Sequence, residues 1–185
     1  MKVLVGAACL LLAVARPLSG QMVVTNDTLD VERREVRDVL TVLRDSLRTV
    51  EAAAAQFERG HQSASIELLI SRAQSIQRAC ARSRRNLPAA RKQVAAGSWS
   101  TEYRTKAQDN LLDEMVQLEE SLEACESVWA RLASLDEADE LRADGPAQAQ
   151  SISTAIRRYT SDVDALYKAL GIYVRPIGAG PSVIP

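Results

Sequence analysis

Histidine, phenylalanine and cysteine are scarce in this chain. One histidine, one phenylalanine and three cysteines occur among 185 residues, and aromatic residues make up only 4%. With a single histidine, most zinc and haem sites lack a ligand, and a serine or cysteine nucleophile lacks its usual base. Few aromatic residues together with abundant alanine and leucine favour helices over sheets. The sequence therefore predicts an all-α protein.

The chain has no apolar run that is long enough to span a membrane. The longest run, residues 3–15, follows Lys2 and precedes small residues. A membrane-spanning helix needs about 20 residues. We therefore predict that residues 1–20 are a secretory signal peptide, cleaved after Ala15 or after Gly20. The alternative is an uncleaved membrane anchor. The mature chain is expected to lack a transmembrane segment and to be secreted or periplasmic.

Two cysteines remain once the predicted signal peptide, which contains Cys9, is removed. An even pair in an exported protein favours a disulfide between Cys80 and Cys125. The expected register of the second and third helices does not favour this bridge, because a turn centred near residue 98 or 99 places Cys80 opposite about Leu118. The bridge therefore requires an uneven hairpin, with the third helix beginning nearer residues 103–107 or the second helix shortened near Pro88.

Four stretches carry apolar residues at alternating spacings of three and four, which is the pattern of the buried face of a long helix. The most regular stretch runs from Leu111 to Leu132. Short loops between heptad-patterned helices predict an antiparallel up-down-up-down four-helix bundle over residues 21–173, followed by an extended tail at 174–185. The expected helices are about 29–59, 64–96, 99 or 101 to 143, and 147–173, with Asp144-Gly145-Pro146 ending the third helix.

No group of residues carries a recognisable chemistry. His61, the single histidine, falls in a predicted turn, and the motifs of covalent haem and di-iron bundles do not occur. Acidic residues cluster at 119–126 and at 136–140, but they lack the ligand order of a calcium loop. We therefore predict no catalytic, cofactor-binding or metal-binding residues, no cofactor, and a protein that is not an enzyme.

The charge pattern is the most informative remaining feature. Residues 68–101 contain no acidic residue, whereas helix three is acidic. Arg84 and Arg91 occupy flanking positions that can pair with Glu119 and Glu126 of helix three. Three of the other five cations point outward at seven-residue spacing and form a candidate contact stripe, which Trp99 at the adjoining turn could join. These predicted partner-contact residues are Arg78, Arg85 and Lys92; the alternative is that they are simply solvated.

The favoured function is that of an exported, cofactor-free helical bundle that binds another macromolecule, either another protein or an anionic surface. The alternative is a carrier that holds a small molecule or metal ion between its helices. A net charge of −1 gives no indication of specific nucleic-acid binding. The sequence leaves the oligomeric state open.

Overall fold

The computed structural model describes residues 26–134 and 138–172, and these residues form four helices with no strand among them. The predicted signal peptide at 1–20 and the predicted tail at 174–185 lie outside the described residues. In the described part of the chain, no helix is long and apolar enough to cross a membrane. The helices are α1 (Asn26–Gly60), α2 (Ile66–Ala96), α3 (Glu102–Ala133) and α4 (Ala138–Leu170).

Consecutive helices pack as antiparallel neighbours, and α4 returns to α1. Arg104, near the start of α3, donates a hydrogen bond to the carbonyl of Ala169, near the end of α4, at 3.1 Å. The hydroxyl of Tyr167, also near the end of α4, donates to the carbonyl of Arg37, near the start of α1, at 3.4 Å. This closed cycle of helices confirms the predicted up-down-up-down four-helix bundle.

The core consists mainly of the apolar seams that the sequence predicts. Trp129 and Phe57 are fully buried and meet edge to face, with ring centroids 4.9 Å apart. Burying each large apolar side chain contributes roughly 1.5–3 kcal/mol. The side chain of Leu29 and residue Tyr173, both predicted on seams, lie outside the described part. The predicted seam of α3 is buried throughout, at Leu111, Met115, Leu118, Leu122, Cys125, Trp129 and Leu132.

A disulfide joins Cys80 of α2 to Cys125 of α3, with the Cα atoms 6.3 Å apart, which confirms the predicted bridge. The hairpin is uneven, as the bridge requires. Cys125 lies 23 residues after Glu102, the first residue of α3, whereas Cys80 lies 16 residues before Ala96, the last residue of α2. The start of α3 therefore extends beyond the end of α2 by seven residues, or about 10 Å of helix rise.

An extended loop and one buried side chain make this overhang possible. Gly97 and Thr101, at the two ends of the loop, both have extended backbone. Thr101 caps α3, so the helix begins at Glu102 and the prediction that Ser98 or Ser100 caps it, with a start at 99 or 101, is wrong. Gln108 of α3 is buried, and its Nε2 donates to the carbonyl of Val94 at 2.6 Å and of Gly97 at 2.8 Å. These carbonyls belong to the C-terminal end of α2, where intrahelical donors run out.

The connection between α3 and α4 differs from the prediction. Helix α3 ends at Ala133 and α4 begins at Ala138, so Asp144-Gly145-Pro146 lies inside α4 and does not end a helix. Gly145 lies on the buried seam, where a Cβ would come within 2.4 Å of the Phe57 ring. The close packing of α4 against Phe57 of α1 therefore requires a residue without a side chain at this position. The buried Leu141 extends the apolar seam of α4 toward its first turn.

Candidate functional site

The outer face of α2 carries a row of cations. We call Arg78, Arg85 and Lys92 the α2 basic row; all three side chains are exposed. Consecutive members are seven residues apart, or about 10.5 Å along the helix. The exposed Arg82 lies one turn from Arg78 and Arg85. The structure therefore brings the three predicted contact residues onto one solvent-facing surface about 21 Å long.

The neighbouring arginines of α2 are neutralised by α3. Arg84 lies 3.0 Å from a carboxylate oxygen of Glu126 and 3.7 Å from one of Glu123. Arg91 donates to Glu119 at 2.9 Å. These pairs confirm the predicted charge pairing between the two helices. Because all five side chains are at least 30% exposed, each pair contributes at most about 1 kcal/mol to stability.

The members of the α2 basic row lack such partners. Within residues 26–134 and 138–172, none of the three makes an ion pair; Arg78 only donates to the carbonyl of Gln74, at 3.2 Å. No acidic residue occurs between Leu68 and Thr101 to offset their charge. Solution ions screen exposed charges over about 8–10 Å. The row therefore carries positive charge that no ion pair within the described residues neutralises.

Trp99 does not contribute to this surface. Its side chain is buried, at 7% exposed, and its ring packs against Gly97 so closely that a Cβ there would lie 2.6 Å from ring atom Cζ2. The suggestion that Trp99 joins the basic contact surface is therefore wrong. The indole covers the core at the C-terminal end of α2. Its position in the sequence, just after the end of a helix, does not show whether the side chain is buried or exposed.

Helix α3 carries an exposed acidic row that the sequence reasoning did not single out. We call Asp113 and Glu120 the α3 acidic row; they are seven residues apart and exposed. Neither makes an ion pair with any residue that the structure describes. The seven-residue spacing could have revealed this row, but the adjacent Glu119 and Glu123 pair with α2 and obscure the pattern.

Two further carboxyl groups lie in the groove between α3 and α4. Glu114 has a side chain only 15% exposed, and it lies 3.6 Å from Nε of Arg158. Burial raises the pKa of Glu114, an effect that Arg158 partly opposes and that Asp162 increases. Burial also raises the pKa of Asp162. Both residues line a surface hollow of about 430 Å³ together with Asp113.

His61 lies in the turn after α1, as predicted, although it is partly covered. Its ring stacks on Phe57, with centroids 6.5 Å apart, and Nδ1 lies 2.7 Å from the carbonyl oxygen of Glu58. Across residues 26–134 and 138–172, no group of three or more His, Cys, Asp or Glu side chains is arranged to hold a metal ion. The prediction of a cofactor-free protein that is not an enzyme remains a prediction.

Another hollow of about 430 Å³ lies between α1 and α4. Arg44, Arg48 and Arg157 line it, and so do Glu51 and Asp164. Three cations and two anions therefore line the hollow. The alternative prediction of a carrier also remains a prediction.

Comparison of the chain with protein-family models, with curated proteins and with solved structures finds no match. We therefore infer the function from the geometry and charge of the bundle.

Proposed function

We propose that this chain is an exported helical bundle that acts by binding another macromolecule, and that the α2 basic row is its contact surface. The observation that carries the proposal is the contrast within α2. Arg84 and Arg91 are paired with α3, whereas Arg78, Arg85 and Lys92 are exposed and make no ion pair with described residues. Exposed charges at regular spacing can complement opposite charges on a partner. Such complementarity chiefly determines the specificity of binding and the rate at which the partners associate.

The disulfide supports the exported location in this proposal. Bridges between cysteines persist in oxidising compartments such as the periplasm or the extracellular space, and they are rare in the cytosol. The Cys80–Cys125 bridge is compatible with such a compartment. The short basic start at Lys2 and the apolar run at 3–15 are the sequence features that favour export.

Photocrosslinking tests the contact surface. A photoreactive residue at position 85 is compared with one at position 157, an exposed arginine position on α4, in cells that make the protein. We expect one dominant, mass-identified adduct from position 85 and none of the same identity from position 157. We also expect Arg78→Gln and Lys92→Gln together to abolish the adduct from position 85. The same adduct from both positions, or none from position 85, would contradict the proposal.

A stability measurement separates loss of contact from loss of fold. Because the three side chains are exposed, the Arg78→Gln, Arg85→Gln, Lys92→Gln variant should unfold within roughly ±1 kcal/mol of the unchanged protein. The matched control changes Arg34, Arg131 and Lys168 to Gln, which removes the same charge from exposed positions on the other three helices. Adduct formation from position 85 should survive in this control.

A further inference from the structure

The two charged rows lie at matching heights on the α2–α3 face. The Cys80–Cys125 disulfide fixes one level on the two antiparallel helices. Lys92 lies twelve residues after Cys80, and Asp113 lies twelve residues before Cys125. Because antiparallel helices run in opposite directions with the same rise per residue, Lys92 and Asp113 are level.

The same relation holds one heptad away. Arg85 lies five residues after Cys80, and Glu120 lies five residues before Cys125, so this cation and this anion are also level. The third cation, Arg78, is level with Ser127, which is exposed and neutral. The face therefore has two cation–anion pairs of positions side by side, with the cation on α2 and the anion on α3 in both cases.

A partner for this face must accommodate both signs of charge. A purely anionic partner that contacts the α2 basic row also approaches the α3 acidic row, because the axes of packed helices lie only about 8–10 Å apart. Like charges brought together across an interface weaken binding and suppress wrong partners. The geometry therefore favours a partner that carries an acidic row opposite α2 and a basic row opposite α3.

We propose that this partner is a second copy of the chain, paired face to face about a two-fold axis parallel to the helices. Rotation about such an axis leaves the position of each residue along the axis unchanged. It places α2 of one copy opposite α3 of the other. Lys92 of each copy then meets Asp113 of the other, and Arg85 meets Glu120, which gives four intermolecular pairs. This inference rests on the proposed role of the α2 basic row and names its partner.

The surface between the rows permits close approach but gives modest apolar burial. Ala81 is partly exposed and Pro88 is exposed on α2, and Val116 of α3 is 41% exposed. Stable obligate interfaces have a larger apolar core. The pairing is therefore expected to be reversible and sensitive to salt, since exposed ion pairs are screened.

Charge reversal tests the arrangement by sedimentation equilibrium at low salt. The first variant, Arg85→Glu with Lys92→Glu, places acidic residues at the two α2 positions that face the α3 acidic row of the other copy. The second, Asp113→Lys with Glu120→Lys, makes both rows basic. Each variant alone should dimerise about tenfold or more weakly than the unchanged protein because like charges then face each other. An equimolar mixture should recover dimers, since every pair is again of opposite charge.

The control reverses two cations away from this face, Arg157→Glu with Lys168→Glu on α4, and should dimerise like the unchanged protein. Circular dichroism verifies that all variants fold. A monomeric unchanged protein at low salt, or a mixture that stays monomeric, would overturn the inference. If position 85 nevertheless captures a different macromolecule, the proposed function stands and only the identity of the partner is wrong. If position 85 captures nothing, the proposed function itself fails.

Discussion

Gly145 of α4 lies against the ring of Phe57 on α1 so closely that a Cβ at position 145 would lie 2.4 Å from Cε1 of the ring. Real Cβ atoms do not approach a carbon atom so closely, and the ring is fully buried and also contacts Trp129. The two helices can therefore pack at this distance only because residue 145 lacks a side chain.

Gly145→Ala is accordingly expected to destabilise the bundle. Overpacking costs about 1–3 kcal/mol, whereas alanine in a helix gains about 1 kcal/mol over glycine, so the net loss should be about 1 kcal/mol. Urea unfolding measures it. In a Phe57→Leu background the same substitution should be neutral or stabilising. An equal loss in both backgrounds would show that the ring contact is not the cause.

The disulfide makes the second prediction. It encloses a loop with a sequence separation of 45 residues, so the chain-entropy treatment assigns it about 4 kcal/mol of stabilisation. Reduction should lower the free energy of unfolding by about 2–4 kcal/mol. The variant with both Cys80→Ala and Cys125→Ala should show no response to reductant. A thiol titration of the unfolded, unreduced protein that finds both cysteines free would contradict the bridge.

Gln108 supports the third prediction, because its Nε2 donates to two backbone carbonyls at the end of α2. Gln108→Glu replaces this donor with an acceptor and should cost about 1–3 kcal/mol at neutral pH. The neighbouring carbonyls should raise the pKa of the new carboxyl in the folded state, so the loss should shrink as the pH falls and the group gains a proton. Urea unfolding at several pH values measures this loss of stability. A loss that does not depend on pH would contradict the proposed role of the Gln108 hydrogen bonds. Asn110→Asp, an exposed change of the same type on α3, serves as the control.

Asp162 gives a prediction about pH. Burial raises its pKa above the ordinary value of 3.8, so the folded state holds this proton more tightly than the unfolded chain does. That contribution to stability is present below pH 3.8 and is lost as the pH rises through the raised pKa. Asp162→Asn cannot ionise, so its stability relative to the unchanged protein should increase as the pH rises through the raised pKa and then level off. Asp164→Asn, on the same helix, controls for the loss of one negative charge. A stability difference that stays constant with pH would refute the assignment.

The bundle could be predicted from the sequence because a buried helix face imposes a spacing of three and four residues wherever it occurs. That pattern located most core positions of the four helices, although not Leu141 and Ala149 in the first half of α4. The opposite charges at the flanking positions of α2 and α3 located the Arg84 and Arg91 pairs. The outward position of Arg78, Arg85 and Lys92 followed from the same periodicity.

The loops could not be predicted in the same way, because local turn signals compete with tertiary packing. Asp144-Gly145-Pro146 has the composition of a turn, yet Gly145 serves the contact with Phe57 and the helix continues. The overhang of α3 depends on the extended loop after Gly97 and on the buried Gln108, and neither is a repeated pattern. Without that overhang, the matching heights of the two charged rows are not visible in the sequence.

The most direct test of the central claim, that the α2 basic row of one copy contacts the α3 acidic row of another, is zero-length carbodiimide crosslinking. Equal amounts of unlabelled and ¹⁵N-labelled protein are mixed, so that crosslinks between chains contain both isotopes. We expect mixed-isotope peptides that join Lys92 to Asp113, and we expect them to disappear when Asp113 is changed to Asn. Absence of mixed-isotope Lys92 crosslinks, or Lys92 joined between chains equally well to carboxyls on other faces, would contradict the claim.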